Sequence, residues 1–249
     1  YKMPGRIKRS YVGQRYFINK MLGSTLVVMT ISFFMSSVSV AINGALIGSL
    51  LGTAQLAAYG IATPIFTLFT AVASLFSAGT QNLCAKHMSR GRLDRANQIF
   101  SVSVIVFLVL TIVTFIFMYC NIGLVASALG AKQDNPEVYA YTIEYLSGII
   151  PVFPGIFGCQ VFVALVQLAG NTQAVFVSFA SIFFVNIGMS LFFVLVLKWG
   201  IFGVSFAISL GYITGAIMHF VHFLSPKSSF KISITRLNFR DLGSIFLIG

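Results

Sequence analysis

Long hydrophobic runs with almost no charge constrain this chain more than any other feature of its sequence. A helix needs about 20 mostly apolar residues to cross the hydrocarbon of a bilayer, and six runs reach that length. They cover residues 21–51, 55–85, 96–119, 138–168, 174–197 and 202–224. None alternates with a period of two, so helices are favoured over a barrel. The sequence therefore predicts an all-α polytopic membrane protein with six transmembrane helices.

The composition agrees with this class. Only 8% of the 249 residues are charged and the mean hydropathy is +0.94, whereas soluble domains carry about 25% charged residues. The formal net charge of +11 is therefore interpreted against a membrane surface. No basic patch is combined with a soluble surface that could dock on DNA. We expect membrane lipid, and not nucleic acid, as a partner.

The cations are distributed unequally between the two ends of the predicted helices. Fourteen of the 16 Lys and Arg residues precede the first run, join the second run to the third, or follow the sixth. Only Lys132 and Lys198 lie in the opposite connections. By the positive-inside rule, both ends of the chain are expected in the cytoplasm, in a multi-pass protein of the plasma membrane. Aromatic residues, Trp199 and Tyr145 among them, are then expected near the outer interface.

The same pattern predicts four segments along the chain. A basic cytoplasmic segment, 1–20, precedes the six-helix transmembrane unit, 21–224. A cytoplasmic linker, 225–240, follows it. Residues 241–249 begin another apolar run, which we interpret as the start of a seventh helix, so we expect the sequence to be part of a longer chain.

A narrow polar stripe runs along the first predicted helix. At 100° per residue, five polar positions fall within an arc of about 60°. They are Thr25, Ser32, Ser36, Ser39 and Asn43. Close helix packing is the better explanation for any single Ser. Five positions that share one stripe and end in an amide favour the polar face of a transport cavity.

Two further helices carry polar residues in the predicted membrane. Asn186 and Ser190 lie one turn apart in the fifth run, and Gln160 and Gln167 lie two turns apart in the fourth. These positions repeat, more weakly, the theme of the first helix. They therefore extend the candidate cavity to the fourth and fifth helices.

The fourth run also contains two prolines, Pro151 and Pro154. Proline removes a backbone donor and kinks or loosens a helix. A static kink satisfied by neighbouring helices and a bend that exposes carbonyl oxygens to a cavity are both compatible with this pattern.

No combination of residues supports catalysis or metal binding. Glu144 is the only acid inside a predicted helical run, close to its outer end, and we find no nucleophile with a plausible base. His219 and His222 could share a helix face, but a third ligand is missing. The three cysteines have no metal-like spacing. We therefore expect no enzyme activity, no catalytic residues, no bound metal and no cofactor other than a coupling ion.

Three stretches resemble the multidrug and toxic compound extrusion (MATE) transporters. LGTAQLAAYGIATPIF is similar to the stretch that joins the first two helices of that family. SAGTQNLCAKHMSRGRLDRANQIF is similar to its second helix and basic inner loop. The passage from ALVQLAGNTQ to SLGYITGAI resembles the region from the fourth to the sixth helix, including Asn186. Their order, spacing and topology together cover most of the chain.

The resemblance implies a twelve-helix antiporter built of two six-helix lobes around a central cavity. This chain would be the N-terminal lobe, and the second lobe of the same chain its partner. Alternating access would move one lobe against the other. The implied substrate is a small organic cation or amphipathic compound, and the implied driving force is the inward flow of H⁺ or Na⁺.

The resemblance also implies a functional role for the position of Asn43. Many family members carry an Asp at the matching position, and often a second Asp where this chain has Ser190. An Asp can bind a proton or neutralise Na⁺, whereas Asn and Ser can only hydrogen-bond. We therefore expect this lobe to be a poor proton relay, with the coupling acids elsewhere. The candidate cavity residues, which would hydrogen-bond substrate, water or each other, are Ser36, Ser39, Asn43, Gln160, Asn186 and Ser190.

Two alternatives to the antiporter fit the same sequence. A lipid-linked-saccharide flippase of the wider superfamily shares the lobed architecture, but it should direct cations into its cavity to hold a pyrophosphate, and almost no cation lies in mid-helix here. A non-transporting membrane subunit is compatible with the loss of the family's acids. An integral membrane enzyme is disfavoured because no catalytic set is found.

Overall fold

The structure is a computed structural model that describes residues 5–131 and 134–224, together with residues 243 and 245. The described residues form α-helices without β-strands. The helices are α1 (Gly5–Leu46), α2 (Thr53–Met88), α3 (Leu93–Cys120), α4 (Ile122–Ala128), α5 (Pro136–Ile149), α6 (Val152–Leu168), α7 (Thr172–Leu191) and α8 (Gly200–Leu224). Helices α1 and α7 each continue into a π-helical turn, Ile47–Leu51 and Phe192–Val196.

The described helices confirm the six predicted spans. Five of them, within α1, α2, α3, α7 and α8 and their π-helical turns, are long and apolar enough to cross a membrane. The remaining span, the fourth along the chain, consists of α5 and α6, which meet at a bend of 45°. Pro151 lies in the break between the two helices, where its missing N–H removes a bond that would continue the helix. The predicted kink in the fourth run is therefore present.

Two details of the connections were not predicted. The connection between α3 and α5 contains the short helix α4. The segment expected to precede the first span is helical from residue 5 and forms the N-terminal part of α1. The predicted linker, 225–240, lies outside the described residues. Of the expected start of a seventh helix, 241–249, residues 243 and 245 are described, and both are helical.

Two helices, α2 and α8, each pack against several others. Helix α1 packs on α7, α7 on α8, and α8 on α6, while α2 packs on α3, α5 and α6. Two glycines, Gly155 and Gly211, allow close approach between neighbouring helices. A Cβ added at Gly155 of α6 would lie 2.7 Å from the backbone N of Ile213 in α8, and one at Gly211 of α8 would lie 2.9 Å from the carbonyl O of Ile182 in α7. Glycine thus allows α8 to pack tightly on both neighbours.

Side-chain polarity is inverted relative to a soluble protein. On α1, Leu26 is 66% exposed and Phe33 is 72% exposed, whereas Ser39 and Asn43 are buried. Buried hydroxyls mostly donate to a carbonyl of their own helix, as Ser32 Oγ does to Val28 O at 2.8 Å. Because lipid offers no hydrogen bonds, α1 turns its polar stripe towards α7 and its apolar side chains outwards.

Candidate functional site

The predicted polar stripe of α1 meets the two polar residues of α7. Ser39, Asn43, Asn186 and Ser190 are each 7% exposed or less. Asn43 Nδ2 donates to Asn186 Oδ1 at 3.3 Å, and Asn186 Nδ2 donates to Ser39 Oγ at 2.9 Å. Four of the six predicted cavity residues therefore belong to one network, which we call the amide cluster.

Ser190 completes the amide cluster from one turn beyond Asn186. Its hydroxyl lies 3.2 Å from Asn186 Oδ1 and 3.4 Å from Asn43 Oδ1. A hydroxyl has a single proton, so Ser190 can donate to only one of these oxygens at a time. Each Asn amide has two N–H groups and uses one of them inside the cluster. Donor capacity is therefore left for water or a ligand.

A small cavity of about 60 Å³ lies beside the amide cluster. Helices α1, α2, α5, α7 and α8 contribute to its walls, and none of its described lining residues is charged. Its polar lining residues include Ser36, Ser39, Asn43 and Asn186, whereas Ser190 does not line it. Since a water needs about 10–15 Å³ of such space and a drug-sized molecule needs about 300–1,000 Å³, this cavity has room for a few waters and is too small for an organic cation.

Three tyrosines that the sequence analysis did not select complete the walls, namely Tyr59, Tyr145 and Tyr212. Tyr59 OH donates to Val40 O of α1 at 3.4 Å and its ring packs edge-to-face on Tyr145. Tyr145, expected near the outer interface, is only 2% exposed and packs inside the lobe, so its ring does not face lipid. Its position more than two turns into α5 was the available signal.

The structure does not place Gln160 in this cavity. Its Nε2 donates to Ser74 Oγ of α2 at 2.7 Å, and its backbone carbonyl accepts a bond from Ser77 Oγ at 2.6 Å. Farther along the same two helices, Gln81 Nε2 donates to Gln167 Oε1 at 2.9 Å. The two glutamines of α6 thus form a separate polar contact with α2, because they lie on the face of α6 that packs against that helix.

The described residues offer little for a metal or a catalytic step. Among them, no group of three His, Cys, Asp or Glu side chains could hold a metal ion. Cys84 and Cys159 are buried thiols, and Cys120 is an exposed one. What the arrangement can do is donate and accept hydrogen bonds from neutral groups inside a membrane span.

Fold and site together define a multi-pass membrane protein lobe with a neutral polar site between its helices, an arrangement found in membrane transporters. The chain belongs to the MatE family, whose family model matches residues 26–192. This confirms the resemblance to MATE transporters found in the sequence. No curated protein matches the chain significantly.

Solved structures of the family share the fold. An outward-facing multidrug resistance MATE family transporter of the MOP superfamily matches with TM-score 0.82 and 21% identity, over 92% of this chain and 51% of that chain. A MATE structure in a bent conformation matches with TM-score 0.82 and 20% identity over the same shares. A MOP superfamily transporter from Pyrococcus furiosus matches with TM-score 0.78 and 21% identity, over 92% and 50%.

The chain spans about half the length of these structures. It therefore forms one lobe of a two-lobed fold, as predicted for the N-terminal lobe of a twelve-helix transporter.

Proposed function

We propose that the chain is the N-terminal lobe of a cation-coupled antiporter that exports organic cations or amphipathic drugs by alternating access, driven by H⁺ or Na⁺. The observation that carries the proposal is the amide cluster, a buried and uncharged polar site between α1 and α7 of a MatE-family lobe. Buried polar groups in a membrane span are costly and are usually functional.

The small size and the neutral lining of the cavity indicate that neither the organic substrate nor the coupling acid lies within it. A space of about 60 Å³ is far below the 300–1,000 Å³ of sites for drug-sized molecules. The organic substrate therefore binds between the lobes, and the amide cluster hydrogen-bonds water or a polar substituent at the wall of that site. Asn and Ser cannot carry a proton as a carboxylate does, so the coupling acid lies in the second lobe.

A lipid-linked-saccharide flippase is the second candidate. One structural relative, the Pyrococcus furiosus transporter, is described as having a binding pocket of reverse polarity that suggests a different function. A flippase needs cations to hold a pyrophosphate, and the described lining of this cavity has none. A non-transporting membrane subunit is the third.

The test is efflux of a fluorescent organic cation from proteoliposomes that contain the complete chain, with H⁺ and Na⁺ gradients imposed separately. We expect efflux with one gradient and a several-fold lower rate in Asn43→Ala. The matched control is Ser37→Ala, because Ser37 is exposed on the same helix and donates only to Phe33 O of its own helix. Folded protein without efflux under either gradient would favour the flippase or the non-transporting subunit. Equal rates in both variants would remove the amide cluster from the site.

A further inference from the structure

An apolar groove lies between α3 and α8. Helix α6 forms its floor, and its volume is about 470 Å³. The groove is separate from the cavity beside the amide cluster, because the two share no lining residue and α6 lines only the groove. Unlike that cavity, it has the volume of a site for a small molecule or a hydrocarbon chain.

The lining of the groove offers nothing to a polar ligand. Apart from Thr111, every described side chain that lines it is apolar, and Thr111 Oγ1 donates to Phe107 O of its own helix at 2.8 Å. The rim is apolar and open, with Leu108 57% exposed and Ile217 55% exposed. An occupant must therefore be a hydrocarbon over the whole length of the groove, because any polar atom placed there would lose its hydrogen bonds.

Small residues of α6 and α8 create this space. Gly155 and Gly158 of α6 and Ala216 of α8 line the groove, and a Cβ added at Gly158 would lie 3.0 Å from Ala216 Cβ. The two helices therefore touch through small groups at the floor, while the larger side chains of α3 and α8 form its sides.

A cluster of cations lies on the turn that leads into α3. It consists of Lys86, Arg90, Arg92 and Arg95, of which the first three are exposed. Basic clusters at the end of a membrane helix attract anionic lipid headgroups. The chemistry of this turn therefore complements the headgroup of a lipid whose hydrocarbon could enter the groove.

The distances along α3 fit such a lipid. At 1.5 Å per residue, Val104 and Ile112, which mark the two ends of the groove on α3, lie about 14 Å and about 26 Å beyond Arg95. A bilayer is about 40–45 Å thick with its headgroups, so its midplane is roughly 20 Å from the headgroup level. An acyl chain that descends from a headgroup at the basic turn therefore reaches the depth of the groove.

We propose that the groove between α3, α6 and α8 binds one acyl chain of an anionic phospholipid whose headgroup contacts the basic α2–α3 turn. This site is separate from the proposed transport site, and its occupancy does not depend on the antiporter proposal. Coverage by the second lobe and entry of an amphipathic substrate are the alternative occupants, and the experiment distinguishes both.

The experiment uses the complete transporter in nanodiscs that contain phosphatidylglycerol with a diazirine midway along one acyl chain. Nanodiscs that contain phosphatidylcholine with the same chains serve as the comparison. Labelled peptides are identified by mass spectrometry after illumination. We expect labelling of the α3 and α8 residues of the groove, several-fold stronger with the anionic lipid. Replacing Arg90 and Arg92 together by Gln should abolish that difference and leave the labelling by the acyl chain.

Two filling variants, Thr111→Phe and Ala216→Phe, test the groove itself. Each should reduce labelling of the groove several-fold, while Val113→Phe should not, because Val113 is 57% exposed on α3 and outside the groove lining. Monodisperse elution and an unchanged melting temperature verify folding, and one folded filling variant is sufficient.

Each contrary result overturns the proposal in a different way. Absence of groove labelling in the wild type would show that the second lobe covers the groove. Displacement of the lipid label by excess amphipathic cation would make the groove a substrate site. Equal labelling in the wild type and in a folded filling variant, or equal labelling by both lipids, would show only general contact with the bilayer.

Discussion

Asn43 and Asn186 form a contact that two carboxylates could not form in the same place. Each amide both donates and accepts, so Asn43 Nδ2 can bond directly to Asn186 Oδ1 without placing a charge in lipid. Two ionised acids at this distance would repel each other. At the residue scale, the amides therefore provide a neutral bond between α1 and α7.

The strength of this bond can be measured by a double-mutant cycle. Asn43→Ala and Asn186→Ala should each destabilise the folded protein, and their coupling energy should be about 0.6 kcal/mol and at most about 1.7 kcal/mol, the range for hydrogen bonds between membrane helices. The measurement is the free energy of unfolding of the complete chain in mixed micelles. Ser37→Ala combined with Asn186→Ala is the control and should show no coupling, since Ser37 bonds only within α1. Strict additivity of the two Asn variants would contradict a direct bond.

At the scale of elements, α8 is a central helix of the lobe, since it packs against α5, α6 and α7. Its contact with α6 requires a position without a side chain, because a Cβ at Gly155 would lie 2.7 Å from the backbone of both Tyr212 and Ile213. Backbone atoms cannot rotate away as a flexible side chain can, so any relief requires the two helices to separate.

We therefore expect Gly155→Ala to destabilise the protein by about 1–3 kcal/mol, as overpacking does. The matched control is Gly60→Ala on α2, where an added Cβ meets nothing within 4 Å. That change should be neutral or should stabilise by up to about 1 kcal/mol, because Ala is the better helix former. Thermal unfolding of both variants in one detergent is the measurement. A Gly155→Ala protein as stable as the wild type would show that α6 and α8 are not in close contact.

The spans and part of the site were predictable for a physical reason. Lipid forces each span to be a long apolar run, and it makes a polar residue such as Asn43 conspicuous. How one helix is rotated against another is not encoded in the periodicity of that helix alone. Gln160 was therefore assigned to the cavity although it faces α2, and the burial of Tyr145 inside the lobe was not predicted.

At the scale of the whole molecule, the lobe has two different openings between its helices. One contains the polar residues of the candidate site and is lined by α1, α2, α5, α7 and α8, and the other is apolar and lies between α3 and α8. The polar opening holds the candidate site, and the apolar one is open along its rim. This asymmetry suits a lobe that meets an aqueous pathway on one side and hydrocarbon on the other.

The orientation of the lobe can be tested with its own cysteines. Cys120 is exposed at the end of α3, whereas Cys84 and Cys159 are buried. A membrane-impermeant maleimide added to intact cells should label Cys120, because the positive-inside rule places this end of α3 outside. The control is Cys120→Ser, which should lose that label while the buried thiols stay unmodified. Labelling of Cys120 only after the cells are permeabilised would invert the predicted topology.

The distance in sequence between the two halves of the amide cluster has a consequence for biogenesis. Asn43 and Asn186 are separated by 143 residues, and ribosomes add roughly 5–20 residues per second. Asn43 is therefore synthesised roughly 7–29 s before its partner. During that interval α1 has no α7 against which to place its polar stripe. Helix α1 is thus expected to be among the last of the described helices to reach its final position, because it must wait for α7.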